Sequence, residues 1–180
     1  ALAKADPKGL NFGSFGVGTS AHLAGEMFKV MTGANMVHVA YRGSAPAMTD
    51  LIGGQIPLSF DTSVAAMPQM ATGKVKAIAV TTRQRSPQMP QVPTVAEAGF
   101  PDYEMVPWIG FVGRRGMSAE VSGKLSQALK DSVNDPVVKA DLQKVGLDVQ
   151  FEPGSVYDKR VAQELPLLRA YVHRANIPVE

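Results

Sequence analysis

The stretch Asn11-Phe12-Gly13-Ser14-Phe15-Gly16-Val17-Gly18-Thr19-Ser20 decides the fold class. A short strand, 11–15, runs into a glycine turn at Gly16-Val17-Gly18, and a helix opens on two hydroxyl residues. That helix is expected from about Thr19 to Met31, with Leu23, Met27 and Val30 at helical spacing and Gly33 as its stop. Strand, tight turn and helix in that order make the first half of a β-α-β unit.

Outward from there the pattern repeats. Residues 35–41 alternate as a second strand, and Arg42-Gly43-Ser44 turns into a helix that Gly53-Gly54 stops. Residues 56–60 read as a buried strand, and Asp61-Thr62-Ser63 opens a helix ending near Gly73. Residues 75–80, nearly all apolar, read as a fourth strand of a parallel sheet covered on both faces. The order β-α-β-α-β-α-β predicts an α/β layer, in which ligands sit beyond the carboxyl ends of the strands.

Residues 81–105 are irregular and proline-rich, with a helical turn expected at Thr94–Ala98 before Gly99. A strand is expected over Met105–Val112, around the single Trp108, and helices follow. Ser118 caps the first, which carries Val121, Leu125 and Leu129; Asp135-Pro136 opens the second, with Val138, Leu142 and Val145. After a small strand expected at Leu147–Phe151 comes a last helix with Val161, Leu165 and Leu168, which Pro166 should kink or break.

The composition narrows the function. The 180 residues are 45% apolar with 17 Gly and 13 Pro, which favours many short elements over a helical bundle. No apolar run approaches the length of a membrane span, so a soluble chain is expected. Net charge is +2 and evenly spread, without the basic stripe of a nucleic-acid binder. There is no Cys, hence no disulfide, thiol nucleophile or thiolate metal ligand.

The residues that point to chemistry lie where strands meet helices. Around Ser14, Gly18, Thr19 and Ser20, free N–H groups, the positive end of a helix and two hydroxyls make a site for an anion. The same pattern also suits an ordinary N-cap in a glycine turn. It is not a P-loop, lacking the Lys-Ser/Thr pair, nor a dinucleotide fingerprint. His22 stands on the first helical turn and could face the pocket. Tyr41-Arg42-Gly43-Ser44 and Asp61-Thr62-Ser63 are further polar junctions expected to converge on the same rim, with Arg42 able to grip a carboxylate. Asp61 reads either as a cap or as an acceptor for water or a ligand hydroxyl or amine. No G-x-S-x-G elbow is present. His22, His38 and His173 lack metal-ligand spacing, and His38 reads as a packed histidine. No cofactor, metal or catalytic residue is expected.

Several stretches resemble the receptors of the tripartite tricarboxylate transporter family, TctC/Bug type. They are Leu10–Ser14, Gly18-Thr19-Ser20-Ala21-His22-Leu23-Ala24-Gly25-Glu26, Val37–Ala47, Asp50–Gln55, Phe60-Asp61 and Pro93–Gly99, in the family's order. The resemblance implies a periplasmic, Venus-flytrap (periplasmic binding protein type II-like) receptor that presents a small organic carboxylate to membrane transporter subunits. It implies ligand contacts from Gly18, Thr19 and Ser20, with others near Tyr41–Ser44 and Asp61. By the same analogy residues 1–105 are the second lobe, and residues 106–180 return to a first lobe whose amino-terminal part is absent. The chain departs from the family at Arg114-Arg115-Gly116-Met117-Ser118, a more Pro/Ala-rich loop elsewhere, and at Leu168, where Trp is common. Two other readings remain beside the receptor: an enzyme acting on an organic acid, and a truncated interaction or regulatory remnant. Uncovered apolar helix faces lead to the expectation that the chain self-associates or that residues 106–180 are mobile.

Overall fold

A computed structural model describes Ala3, residues 9–175 and Ile177. Three parallel strands carry the sheet: β1 (Leu10–Ser14), β2 (Met36–Ala40) and β3 (Leu58–Ser59), in the order β2-β1-β3. β1 pairs along its whole length with β2, from Leu10 opposite Met36 to Ser14 opposite Ala40. Its other edge meets β3 only at Phe12 and Gly13. The crossovers are α1 (Ser20–Thr32) and α2 (Ser44–Ile52), and α3 (Ser63–Ala71) follows β3. The chain is therefore α/β with a parallel sheet, as read from the sequence.

β1 is central because both its edges are paired and Phe12, Gly13 and Ser14 are buried. α1 lies close upon it. A Cβ added at Gly25 would come within 2.1 Å of the Phe12 ring, so only glycine permits this approach. The buried residues of α1 are accordingly Ala21, His22, Ala24, Gly25, Glu26, Met27 and Thr32. The expected stripe of Leu23, Met27 and Val30 is corrected: Val30 is exposed and Leu23 half-buried. Small residues let helix and strand backbones approach, and that gain in contact outweighs burial of the larger side chains. Gly33, at φ 64°, ends α1 with its N–H on the Lys29 carbonyl at 2.9 Å.

Beneath α1 a cluster of Met27, Val95 and Tyr103 gathers Phe28, Met31, Phe100 and Tyr171. The Tyr103 hydroxyl, fully buried, donates to the Ala24 carbonyl at 2.9 Å, and burial raises its pKa. The turn over residues 94–99 is held by a reciprocal pair: Glu97 accepts from the Thr94 N–H and Thr94 from the Glu97 N–H, at 2.8 and 2.9 Å.

Three expected strands do not form. Residues 75–80 make a single bridge, Val80 to Thr94, and Ile78 is 73% exposed. Residues 105–112 and 147–151 are without ladder partners among the described residues. An apolar run is extended readily, but a strand also needs a neighbour to accept its hydrogen bonds.

Residues Trp108–Leu167 make one compact unit, and the described residues on either side make the other. The first contains α4 (Ala119–Asn134), α5 (Pro136–Lys144) and most of α6 (Gly154–Arg174). Ser118 caps α4 through the Val121 N–H, and Asp135 caps α5 through Val137 and Val138, with Pro136 at its first position. Trp108 stacks edge-on against Tyr157 and donates to Glu164 at 3.1 Å. α6 runs unbroken through Pro166, where a break was one expectation. The proline removes one N–H bond, which the flanking turns outweigh. Among the described residues no helix is long and apolar enough to cross a membrane.

Candidate functional site

The parallel sheet brings the carboxyl ends of β1, β2 and β3 to one edge, and the three polar junctions follow there. Tyr41 donates its N–H to the Ser14 carbonyl and Phe60 to that of Gly13, both at 3.0 Å, so the junctions start side by side.

The first junction is tied internally at almost every group. Ser14 is fully buried; its Oγ lies 2.7 Å from His38 Nε2, accepts the Gly16 N–H and donates to the Gly16 carbonyl. The Gly18 N–H donates to His22 Nδ1 at 3.1 Å. Thr19 Oγ1 donates to the Gly16 carbonyl at 2.6 Å and accepts from the His22 N–H, capping α1. Gly16 and Gly18 stand at φ 145° and 73°, where side chains are strained.

What the loop leaves unbonded is Ser20. Its hydroxyl and the N–H groups of Ser20 and Ala21 have no partner within the described residues, and both residues line a hollow of about 40 Å³. Asp61 and Thr62 line the same hollow, with Phe15, Phe60 and Met105 among its apolar lining. Asp61 Oδ1 accepts from the Ser44 hydroxyl and from the Thr62 N–H (2.8 Å). Its Oδ2 is buried without a hydrogen-bond partner. A buried carboxylate oxygen in that state calls for a donor, from water or a bound molecule.

Of the seven site residues taken from the sequence, Ser20 and Asp61 thus line one hollow. Ser14, Gly18, Thr19 and His22 spend their polar groups shaping the loop behind it. Tyr41 turns its hydroxyl to Asp50 Oδ2 at 2.8 Å, and burial with this carboxylate raises its pKa. Arg42 is exposed and makes no ion pair among the described residues. His38 is the participant that alternation in β2 did not reveal: it stacks on His22 at 3.7 Å and 12°. Among the described residues no three His, Asp or Glu side chains gather to hold a metal.

The family model of the tripartite tricarboxylate transporter family receptor matches residues 1–176. The chain belongs to this receptor family. It is 38% identical over 179 residues to a UPF0065 protein of Agrobacterium vitis, covering 98% of this chain and 52% of that protein. Among solved structures it superposes on an R. palustris protein with adipate at a TM-score of 0.90 and 30% identity, covering 98% of this chain and 59% of the other. The periplasmic binding protein BugD is similar at a TM-score of 0.84 and 29% identity, over 99% and 60%. The receptor fold is therefore shared over nearly the whole chain, which spans about half to 60% of these relatives' length.

Proposed function

We propose that this chain contributes the anion-binding part of a periplasmic receptor for a small organic carboxylate, serving uptake through membrane transporter subunits and performing no chemical transformation. The observation that carries the reading is the junction of β1 and α1. Ser20 offers its hydroxyl and N–H, and Ala21 its N–H, unpaired at the positive end of a 13-residue helix. These donors suit one carboxylate, and the similar R. palustris structure with adipate supports a carboxylate as the ligand class. Asp61, which lines the same hollow, has Oδ2 as a buried acceptor without a partner. It suits a ligand hydroxyl or amine, or a water that bridges to the ligand. In this reading residues 1–105 supply one lobe and residues 106–180 the segment returning to the other.

Calorimetric titration with adipate tests the proposal. Binding that releases heat and leaves adipate chemically unchanged after long incubation supports it. Turnover of the acid would favour an enzyme instead, and absence of binding by any carboxylate tried would remove the receptor reading from this chain.

A further inference from the structure

The loop before α1 is shaped by two histidines that are themselves stacked. His22, on the first turn of α1, and His38, in β2, face each other at 3.7 Å between ring centroids. His22 Nδ1 accepts the Gly18 N–H, so that nitrogen carries no proton and Nε2 does. Nε2 in turn faces Glu26 Oε1 at 3.9 Å. Ser14 Oγ shares a 2.7 Å hydrogen bond with His38 Nε2 and accepts the Gly16 N–H, so His38 is tied to the loop through Ser14. One imidazole thus grips Gly18 directly, and the other grips Gly16 through Ser14.

We propose that His22 and His38 form a latch that positions the Gly16–Ser20 loop, so that the unpaired donors of Ser20 and Ala21 are presented by histidines which do not meet the ligand. The proposal rests on reading that loop as the ligand-binding one. It also makes the loop acid-labile. A protonated His22 has no lone pair for the Gly18 N–H, and a charged ring repels a charged ring at stacking distance. The charged groups facing the pair are Glu26 and Lys29, both on α1 and bonded to each other at 2.8 Å; β1 contributes only Phe12 and Ser14. Burial lowers the pKa of both histidines, against the opposing pull of Glu26 on His22. For His38, burial, then His22 and Lys29, bring it to about 4. The latch is therefore closed at neutral pH and loosens in acid, as the rings take up protons.

The test is nuclear magnetic resonance of the isotope-labelled full chain, reading imidazole tautomers and the Gly18 amide through a pH titration, beside succinate titration. His22 is expected as the Nε2–H tautomer, with Gly18 protected from exchange at neutral pH and losing that protection in acid. His22→Phe keeps a ring in the stack but no acceptor, so Gly18 exchange should quicken about tenfold and succinate affinity fall by a similar factor. His22→Asn returns an acceptor oxygen near the Nδ1 position and should rescue protection, without the acid loss. Should His22→Phe fail to fold, the wild-type tautomer and the pH profile of His22→Asn decide. An Nδ1–H tautomer, or Gly18 exchange unchanged in His22→Phe, overturns the latch. If Gly18 follows His22 while succinate binds at no pH, the latch stands and the receptor reading falls.

Discussion

Thr19 and Ser20 are adjacent hydroxyl residues at one helix end, yet the structure gives them opposite tasks. Thr19 is consumed by the loop as the cap of α1, and Ser20 is left with its donors unpaired. Thr19→Ala should therefore lower stability by about 1 kcal/mol, the usual worth of an N-cap. Ser20→Ala should leave the melting temperature nearly unchanged and weaken dicarboxylate affinity by about 1.5–3 kcal/mol, the range for hydrogen bonds to a charged group. Thermal unfolding and calorimetry on the two variants separate the roles; the reverse pattern would move the site off Ser20. The histidines make a second prediction at this scale. His38 has a folded pKa of about 4 against an ordinary 6.5, so the unfolded chain binds the proton more readily. Between those values the unfolded state holds more protons, and stability falls as the pH drops; above about 6.5 neither state is charged and the contribution is flat. The loss across that window should be on the order of 2–3 kcal/mol, measured by denaturant unfolding, and His38→Gln should flatten it.

Among elements, the contact of α1 with β1 is the least forgiving. A methyl at Gly25 would enter the Phe12 ring, itself fully buried and packed edge-on to Phe60. Gly25→Ala gains helix propensity but must push strand and helix apart, and is expected to destabilise the chain by about 1–3 kcal/mol in denaturant unfolding. A neutral or stabilising result would mean that the helix seats further from the sheet than described. This contact also shows where sequence reading stops. Gly33, Ser118 and Asp135-Pro136 mark their helix ends by local chemistry, and those helix ends were legible. The glycine turn before Ser20 and the three strand-to-helix junctions were legible for the same reason. The face of α1 was not, because periodicity ranks Leu23 and Val30 by hydropathy and cannot see that Phe12 requires a groove of Ala and Gly. Residues 75–80 and 105–112 read as strands from their apolar side chains, while the ladder that would make them strands depends on partners far along the chain. The pairing of His38 with Ser14 and the unsatisfied Asp61 Oδ2 are likewise non-local, and His22 meets Gly18 only four residues away through a ring orientation that no spacing announces.

At the scale of the whole molecule, the two compact units differ in how much they bury. The unit containing the sheet has a closed core around Met27, Val95 and Tyr103. In the other, α4, α5 and the part of α6 up to Leu167 bury no residue at all, and Val121, Leu125, Val137, Leu165 and Leu167 are exposed. Ile109, Phe111 and Val112 are each about 80% exposed as well. Side chains of this size contribute roughly 1.5–3 kcal/mol each when buried, against a total stability of about 5–15 kcal/mol for a domain. Apolar stripes of that extent draw partners. The chain covers 52% of the Agrobacterium vitis relative and 59% of the R. palustris structure, so both are longer than it is. For the 180-residue chain by itself, the expected outcome is concentration-dependent self-association in sedimentation velocity. Leu125→Lys with Val121→Lys should shift it toward monomer, since two charges on the stripe oppose burial while α4 keeps its cap and its exposed polar face. A monomer at every concentration, with amides of residues 119–144 strongly protected from exchange, would show that these helices are stable without a cover, and that their apolar faces cost the chain less than their area implies.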